Sequence, residues 1–144
     1  MKKLFALGIV ALVLLLNGCK DRAVTPEQIP ASIMSFIQQS FPGQTVTYAE
    51  SERELLGKTY EVFLADGTCI DFDTSGEWDK VQGTVNNPIP TTLIPGPIVN
   101  QIKTQYPDAM ILKIDKENHG YDIELANGIE LKFNKQGQFM GMDD

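Results

Sequence analysis

The sequence is poor in the residues that most enzymes rely on. It has one histidine, two cysteines and one tryptophan in 144 residues, and only twelve basic residues against nineteen acidic ones. A single histidine leaves little for histidine-based catalysis or a zinc site, and two cysteines cannot build a disulfide framework. The formal charge of -7 argues against nucleic acid as a partner. No phosphate-binding glycine loop appears, because Gly57, Gly67, Gly76, Gly128 and Gly137 all punctuate expected hairpins. What remains is 42% hydrophobic, too much for a wholly disordered chain. The length suits one domain or two small units sharing a sheet.

The one long apolar run is at the N-terminus. Leu4 to Leu16 is interrupted only by Gly8 and follows the basic stretch Met1-Lys2-Lys3. As a helix it would span about 20 Å, short of the roughly 30 Å hydrocarbon core, so residues 1–18 read as a signal peptide. Leu16-Asn17-Gly18-Cys19 resembles the bacterial lipobox. That resemblance implies cleavage behind Gly18, lipidation at Cys19 and a membrane partner reached through the lipid, with residues 19–25 as the tether. The mature chain then carries ten basic and nineteen acidic residues, net -9. Lys20 rather than Asp after the cysteine favours the outer membrane by the simplest sorting rule of enterobacteria. Both a periplasmic and a surface-facing domain stay open.

The rest of the chain matches itself. Ile29-Pro30 aligns with Ile94-Pro95, Ile33 with Ile98, Ile37 with Ile102, and Phe41-Pro42 with Tyr106-Pro107. Further on, Tyr60-Glu61-Val62 falls on Tyr121-Asp122-Ile123, Asp66-Gly67 on Asn127-Gly128, Phe72 on Phe133 and Trp78 on Phe139. Two copies of one unit are expected, residues 26–83 and 93–144, joined by a polar linker at 84–92. Each unit reads as one helix followed by an antiparallel β-meander: an α+β fold of two tandem repeats. In the strands, Asn127-Gly128 as a two-residue turn would pair Leu125 with Glu130 and set core against solvent. A three-residue loop closed by glycine instead pairs Ile123 with Leu131, and likewise Val62 with Ile70 and Tyr60 with Phe72. Trp78 and Phe139 are expected in the core.

These residues carry a family resemblance. The pattern I-P…F-P, then Y-E-V-x-L-x-D-G…F-D-x-x-G-x-W, returns as I-P…Y-P, then Y-D-I-x-L-x-N-G…F-N-x-x-G-x-F. It resembles the PepSY-like, beta-lactamase-inhibitor-like domain known from lipoproteins of gut Bacteroidetes. The resemblance implies a fold similar to the beta-lactamase inhibitor protein. It implies no activity, and it transfers no inhibitory residues.

The remaining candidates are weak as catalysts. Asp71 to Gly76 imitates the start of a calcium loop, making Asp71 and Asp73 the metal candidates, but the twelfth position is Gln82 rather than a bidentate Glu. Cys69 falls among carboxylates, which disfavour a thiolate. His119 reads as a turn residue with no Ser or Cys partner. No catalytic residue and no cofactor is expected. The leading expectation is a lipid-anchored, non-enzymatic module that binds a protein or peptide, with inhibitor-like action and a basic partner as its sharpest forms. Its contact face would be the outer sheet surface carrying Glu61, Phe63, Cys69 and Asp71, with Asp122, Glu124, Glu130 and Lys132. The alternative is a divalent-metal-binding or hydrolytic envelope enzyme. A purely structural envelope component is the third possibility.

Overall fold

The computed structural model describes residues 22–143. The signal segment and Cys19 lie outside the described residues. Strand β1 (Arg22–Ala23) is followed by helix α1 (Ala31–Ser40) and strands β2 (Val46–Glu54), β3 (Gly57–Leu64), β4 (Cys69–Phe72) and β5 (Trp78–Gln82). Helix α2 (Gly96–Gln105) then leads to β6 (Ile111–Glu117), β7 (Gly120–Leu125), β8 (Glu130–Asn134) and β9 (Phe139–Asp143). Every strand pairs antiparallel with the next, giving one nine-stranded sheet in chain order.

The helices follow from spacing and proline. Ile33 and Ile37 in α1, and Ile98, Val99 and Ile102 in α2, are the buried positions of ten-residue helices. Pro30 and Pro95 sit at the N-caps, where their missing N–H costs nothing. Pro42 and Pro107 hold Phe41 and Tyr106 out of the α region, at φ −131° and −133°, and both helices stop there.

The strands alternate as their sequences require. Val62, Leu64, Ile70, Phe72, Val81, Ile114, Ile123, Leu125, Leu131 and Phe133 are buried and form one cluster with the helix residues. The register is the expected one, with Tyr60 opposite Phe72, Val62 opposite Ile70 and Ile123 opposite Leu131. The Leu64 and Leu125 N–H groups donate to Thr68 and Ile129 carbonyls across the turns, at 2.8 and 2.9 Å. Gly67 and Gly128 take φ +91° and +89°, the left-handed conformation that closes such a loop.

The expected fold class is corrected. The chain does not form two tandem helix-plus-meander repeats; it forms a single sheet-dominated layer carrying two short helices on one face. The deciding contact is at the seam, where β5 pairs with β6 through Lys80–Asp115, Val81–Ile114 and Gln82–Lys113. Val81 and Ile114 are both fully buried, so the core runs through the seam unbroken. Local periodicity assigns residues to strands, but it cannot show that two strands separated by a helix become neighbours. The connection between them is also packed, with Ile89 buried and its N–H bonded to the Ile111 carbonyl at 3.2 Å.

Two smaller expectations change as well. Arg22 and Ala23, read as tether, are hydrogen-bonded into the sheet opposite Ser51 and Glu50. Phe139 is 45% exposed because β9 is a sheet edge, although its ring still meets Phe133 edge-on at 5.8 Å. Trp78 is partly buried against the core.

Candidate functional site

The helices leave the second face of the sheet uncovered, and the period-two alternation fills it with charge. Two rows cross it. The first runs Glu50, Glu61, Asp71, Lys80, Asp115, Asp122, Lys132. The second runs Tyr48, Phe63, Cys69, Gln82, Lys113, Glu124, Glu130 and ends on Asp143. Glu61, Phe63, Asp71, Asp122, Glu124 and Glu130 therefore share one face.

The charge on this face is uneven. On the β5–β9 side the acids have lysines beside them. Lys113 Nζ lies 3.1 Å from Glu124 and 3.6 Å from Asp115, and Lys132 Nζ lies 2.8 Å from Asp143. Burial pulls the Lys113 ammonium down, but the Glu124 hydrogen bond and the charges of Asp115 and Glu124 outweigh it, leaving its pKa raised. His119 Nε2 meets Asp122 Oδ1 at 2.7 Å, so this histidine has a carboxylate partner rather than a nucleophile.

The β2–β5 side is different. Glu50, Glu52, Glu61, Asp71 and Asp79 line a cleft of about 280 Å³ together with Thr59. Lys80 reaches Asp71 at 3.6 Å but stands between it and Asp115 at 4.0 Å, so it is shared. Burial raises the Asp71 carboxyl despite Lys80, and burial together with the charges of Asp71 and Asp73 raises Asp79. Carboxylates held above their ordinary values are electrostatically unsatisfied. A cation brought among them relieves that.

Cys69 sits at the centre of this side. Its Sγ lies 3.4 Å from Glu61 Oε1 and 4.0 Å from Asp71 Oδ1. Burial, the thiol's hydrogen bond to Glu61 and the two carboxylate charges push its pKa up to about 12. Such a thiol is protonated and inert at neutral pH. Beside it, the Tyr48 and Phe63 rings meet at 5.8 Å, and the Tyr48 hydroxyl donates to Glu50 at 2.6 Å.

The metal candidates Asp71 and Asp73 have separate roles. Asp73 Oδ1 accepts the Ser75 and Glu77 N–H groups at 2.9 and 3.1 Å, closing its own turn. Asn134 does the same for Gln136 and Gln138 at 3.0 and 2.8 Å, so the turn is made by an uncharged side chain equally well. The donors that do converge are Glu61, Cys69 and Asp71, whose ligand atoms lie within 4.8 Å of one another. Two carboxylates and a protonated thiol suit a hard cation poorly, since calcium takes six to eight oxygens.

Several members of this face were missed from sequence. Glu50 and Glu52 had a signal, since they follow Tyr48 at period two along 46–54. Lys80 as a counter-ion shared between Asp71 and Asp115 had none, because that depends on the β5–β6 pairing. On the other face, the β5–β6 pairing also brings Lys116 Nζ 3.6 Å over the Trp78 ring.

The duplicated turn and strand pattern now has a counterpart among known proteins. The family described as "Putative beta-lactamase-inhibitor-like, PepSY-like" matches residues 15–55 and 58–141. The chain belongs to the PepSY-like family. Three solved structures resemble this PepSY-like chain over most of its length. A "putative periplasmic protein of unknown function" from Bacteroides vulgatus is 30% identical, with a TM-score of 0.80 over 87% of this chain and 100% of that one. A second "putative periplasmic protein" from the same organism is 32% identical, with a TM-score of 0.78 over 87% and 98%. A "putative calcium-regulated periplasmic protein" from Bacteroides thetaiotaomicron is 33% identical, with a TM-score of 0.78 over 86% and 97%. No curated protein matches the chain. Among the described residues, no helix is long and apolar enough to cross a membrane.

Proposed function

We propose that this PepSY-like protein is a non-enzymatic binding module of the cell envelope, anchored through a lipid on Cys19, whose open sheet face takes a protein or peptide with basic side chains. The observation that carries the reading is the charge imbalance across that face. Asp71 and Asp79 are held above their ordinary values beside Glu50, Glu52 and Glu61, with Lys80 as a shared counter-ion. The periplasmic description of three relatives supports the envelope location. An acidic face steers basic partners, and such an association weakens with salt.

The test is recovery of partners from detergent-solubilised envelope at low salt. Glu61→Lys with Asp71→Lys should cut recovery strongly, while Asp122→Lys with Glu124→Lys, on the side that holds Lys113 and Lys132, should cut it less. Unchanged recovery in both variants would rule the face out. The anchor has its own test: labelled palmitate enters the wild-type chain and not Cys19→Ser.

A calcium reading is favoured by one relative's description and by the carboxylate-lined cleft. Calorimetric titration with calcium decides it, and Glu61→Gln should abolish any heat assigned to that cleft.

A further inference from the structure

The β2–β3 hairpin ends in Leu55 and Leu56, which are 99% and 86% exposed. Glu54 pairs with Gly57, so these two leucines are the whole loop. Turn geometry does not ask for them, because no non-glycine residue among the described ones takes a positive φ. The hairpin β6–β7 is closed in the same way, by Asn118 and His119 between Glu117 and Gly120, and its loop is polar. Loops favour such polar residues for their local hydrogen bonds. A second local rule is broken one step down the hairpin. Arg53 lies directly opposite Lys58, a like-charge pair that strand pairing disfavours. Arg22, opposite Ser51, falls on that same face, while Glu50, Glu52 and Glu54 occupy the other. The hairpin thus presents an apolar tip with a basic flank.

The chain's own course says what this tip meets. β1 runs antiparallel to β2, with Arg22 at Ser51, so the N-terminal end of β1 points toward the Leu55–Leu56 tip. Lys20 and Asp21 lie between Cys19 and Arg22, three steps that span at most about 11 Å of chain. Leu55 stands four residues beyond Ser51, about 13 Å along a strand. The leucine tip therefore lies at the end of the sheet toward which β1 leads back along the chain.

We propose that the Leu55–Leu56 tip inserts into the bilayer that holds the Cys19 lipid, with Arg22, Arg53 and Lys58 against anionic headgroups. This rests on the anchor reading given above. Apolar and basic contacts beside a lipid anchor add to membrane attachment and fix how the domain sits on the surface. Long basic side chains bury their stems at such a surface while their charges meet phosphate. Seated this way, the hairpin stands the sheet upright and leaves the acidic face free for a partner.

The test uses the lipidated chain in vesicles of phosphatidylethanolamine and phosphatidylglycerol, with Cys69→Ser and one environment-sensitive fluorophore. In Leu56→Cys the label should shift to the blue and be quenched by nitroxide lipids; in Ala126→Cys, in the exposed β7–β8 loop at the opposite end of the sheet, it should stay water-like. A tip label indistinguishable from the Ala126→Cys control, in a chain that takes up palmitate, overturns the proposal and leaves the anchor standing. Absence of palmitate overturns the anchor reading. The tip is then judged separately by sedimentation of the Cys19→Ser chain with the same vesicles. There Leu55→Ser with Leu56→Ser should weaken binding about tenfold, and no difference overturns the proposal. Shielding of the tip label by soluble envelope proteins without vesicles also overturns it, in favour of a protein partner.

Discussion

The Cys69 thiol offers the sharpest test of the electrostatics of the open face. In the Cys19→Ser chain it is the remaining cysteine, so any thiol reagent reports on it alone. Its pKa is pushed from 9.0 to about 12, first by burial, then by the hydrogen bond to Glu61 and the charges of Glu61 and Asp71. At pH 8 that shift lowers the thiolate fraction about a thousandfold. A more basic thiolate is intrinsically more nucleophilic, which returns about twentyfold. Disulfide exchange with an aromatic disulfide should therefore be about fiftyfold slower in the native chain than in urea. The rate should climb tenfold per pH unit up to at least pH 11. Glu61→Gln removes one charge and weakens the acceptor, and should recover part of the rate, with burial retaining the rest. A plateau near pH 9, or native and unfolded rates within threefold, would refute the argument. The linkage has a definite sign. A thiol whose folded pKa is raised contributes stability that is whole below pH 9 and is lost as pH rises toward 12, so Cys69→Ala should flatten alkaline unfolding.

Three further predictions concern the scaffold. Ile114→Ala should cost about 2–5 kcal/mol and lower the urea midpoint read by Trp78 fluorescence as much as that read by circular dichroism; an unmoved Trp78 midpoint would mean that the seam does not couple the halves. At Gly120, φ +147°, a Cβ would meet the Phe133 carbonyl oxygen at 2.2 Å, whereas at Gly57, φ +152°, the nearest atom is Thr74 O at 3.3 Å. Gly120→Ala should therefore lose about 3 kcal/mol or more and Gly57→Ala only about 1–2 kcal/mol, and equal losses in denaturant titration would sink the reasoning. Asp79→Asn should raise the thermal midpoint at pH 7, because burial and the Asp71 and Asp73 charges make the folded carboxylate unfavourable. A raised folded pKa means that stability rises as pH falls toward the unfolded value of 3.8, so the advantage of Asp79→Asn should shrink in acid.

Much of the local structure was legible. Proline before and after an apolar stripe marked both helices, and the side chains alternating along β3, β4, β7 and β8 set their pairing through a glycine-closed loop. That logic put Glu61, Phe63, Asp71, Asp122, Glu124 and Glu130 on one face. What escaped was non-local. Lys80 reads as an ordinary surface lysine until β5 is placed between β4 and β6, where it is shared by Asp71 and Asp115. Phe139 looked like core because its spacing matched Trp78, but among the described residues β9 pairs only with β8, and that edge leaves its ring half in water.

The sequence alone determined which residues face inward, because period-two and helical spacing are properties of the chain itself. It also carried the family pattern and the acidic balance. Only the tertiary structure decided that the strands make one sheet rather than two, since joining β5 to β6 depends on how far-apart segments bury Val81 and Ile114 together. From that one pairing follows the sharing of Lys80 between Asp71 and Asp115, which leaves the acids of β2 to β4 with only part of its charge.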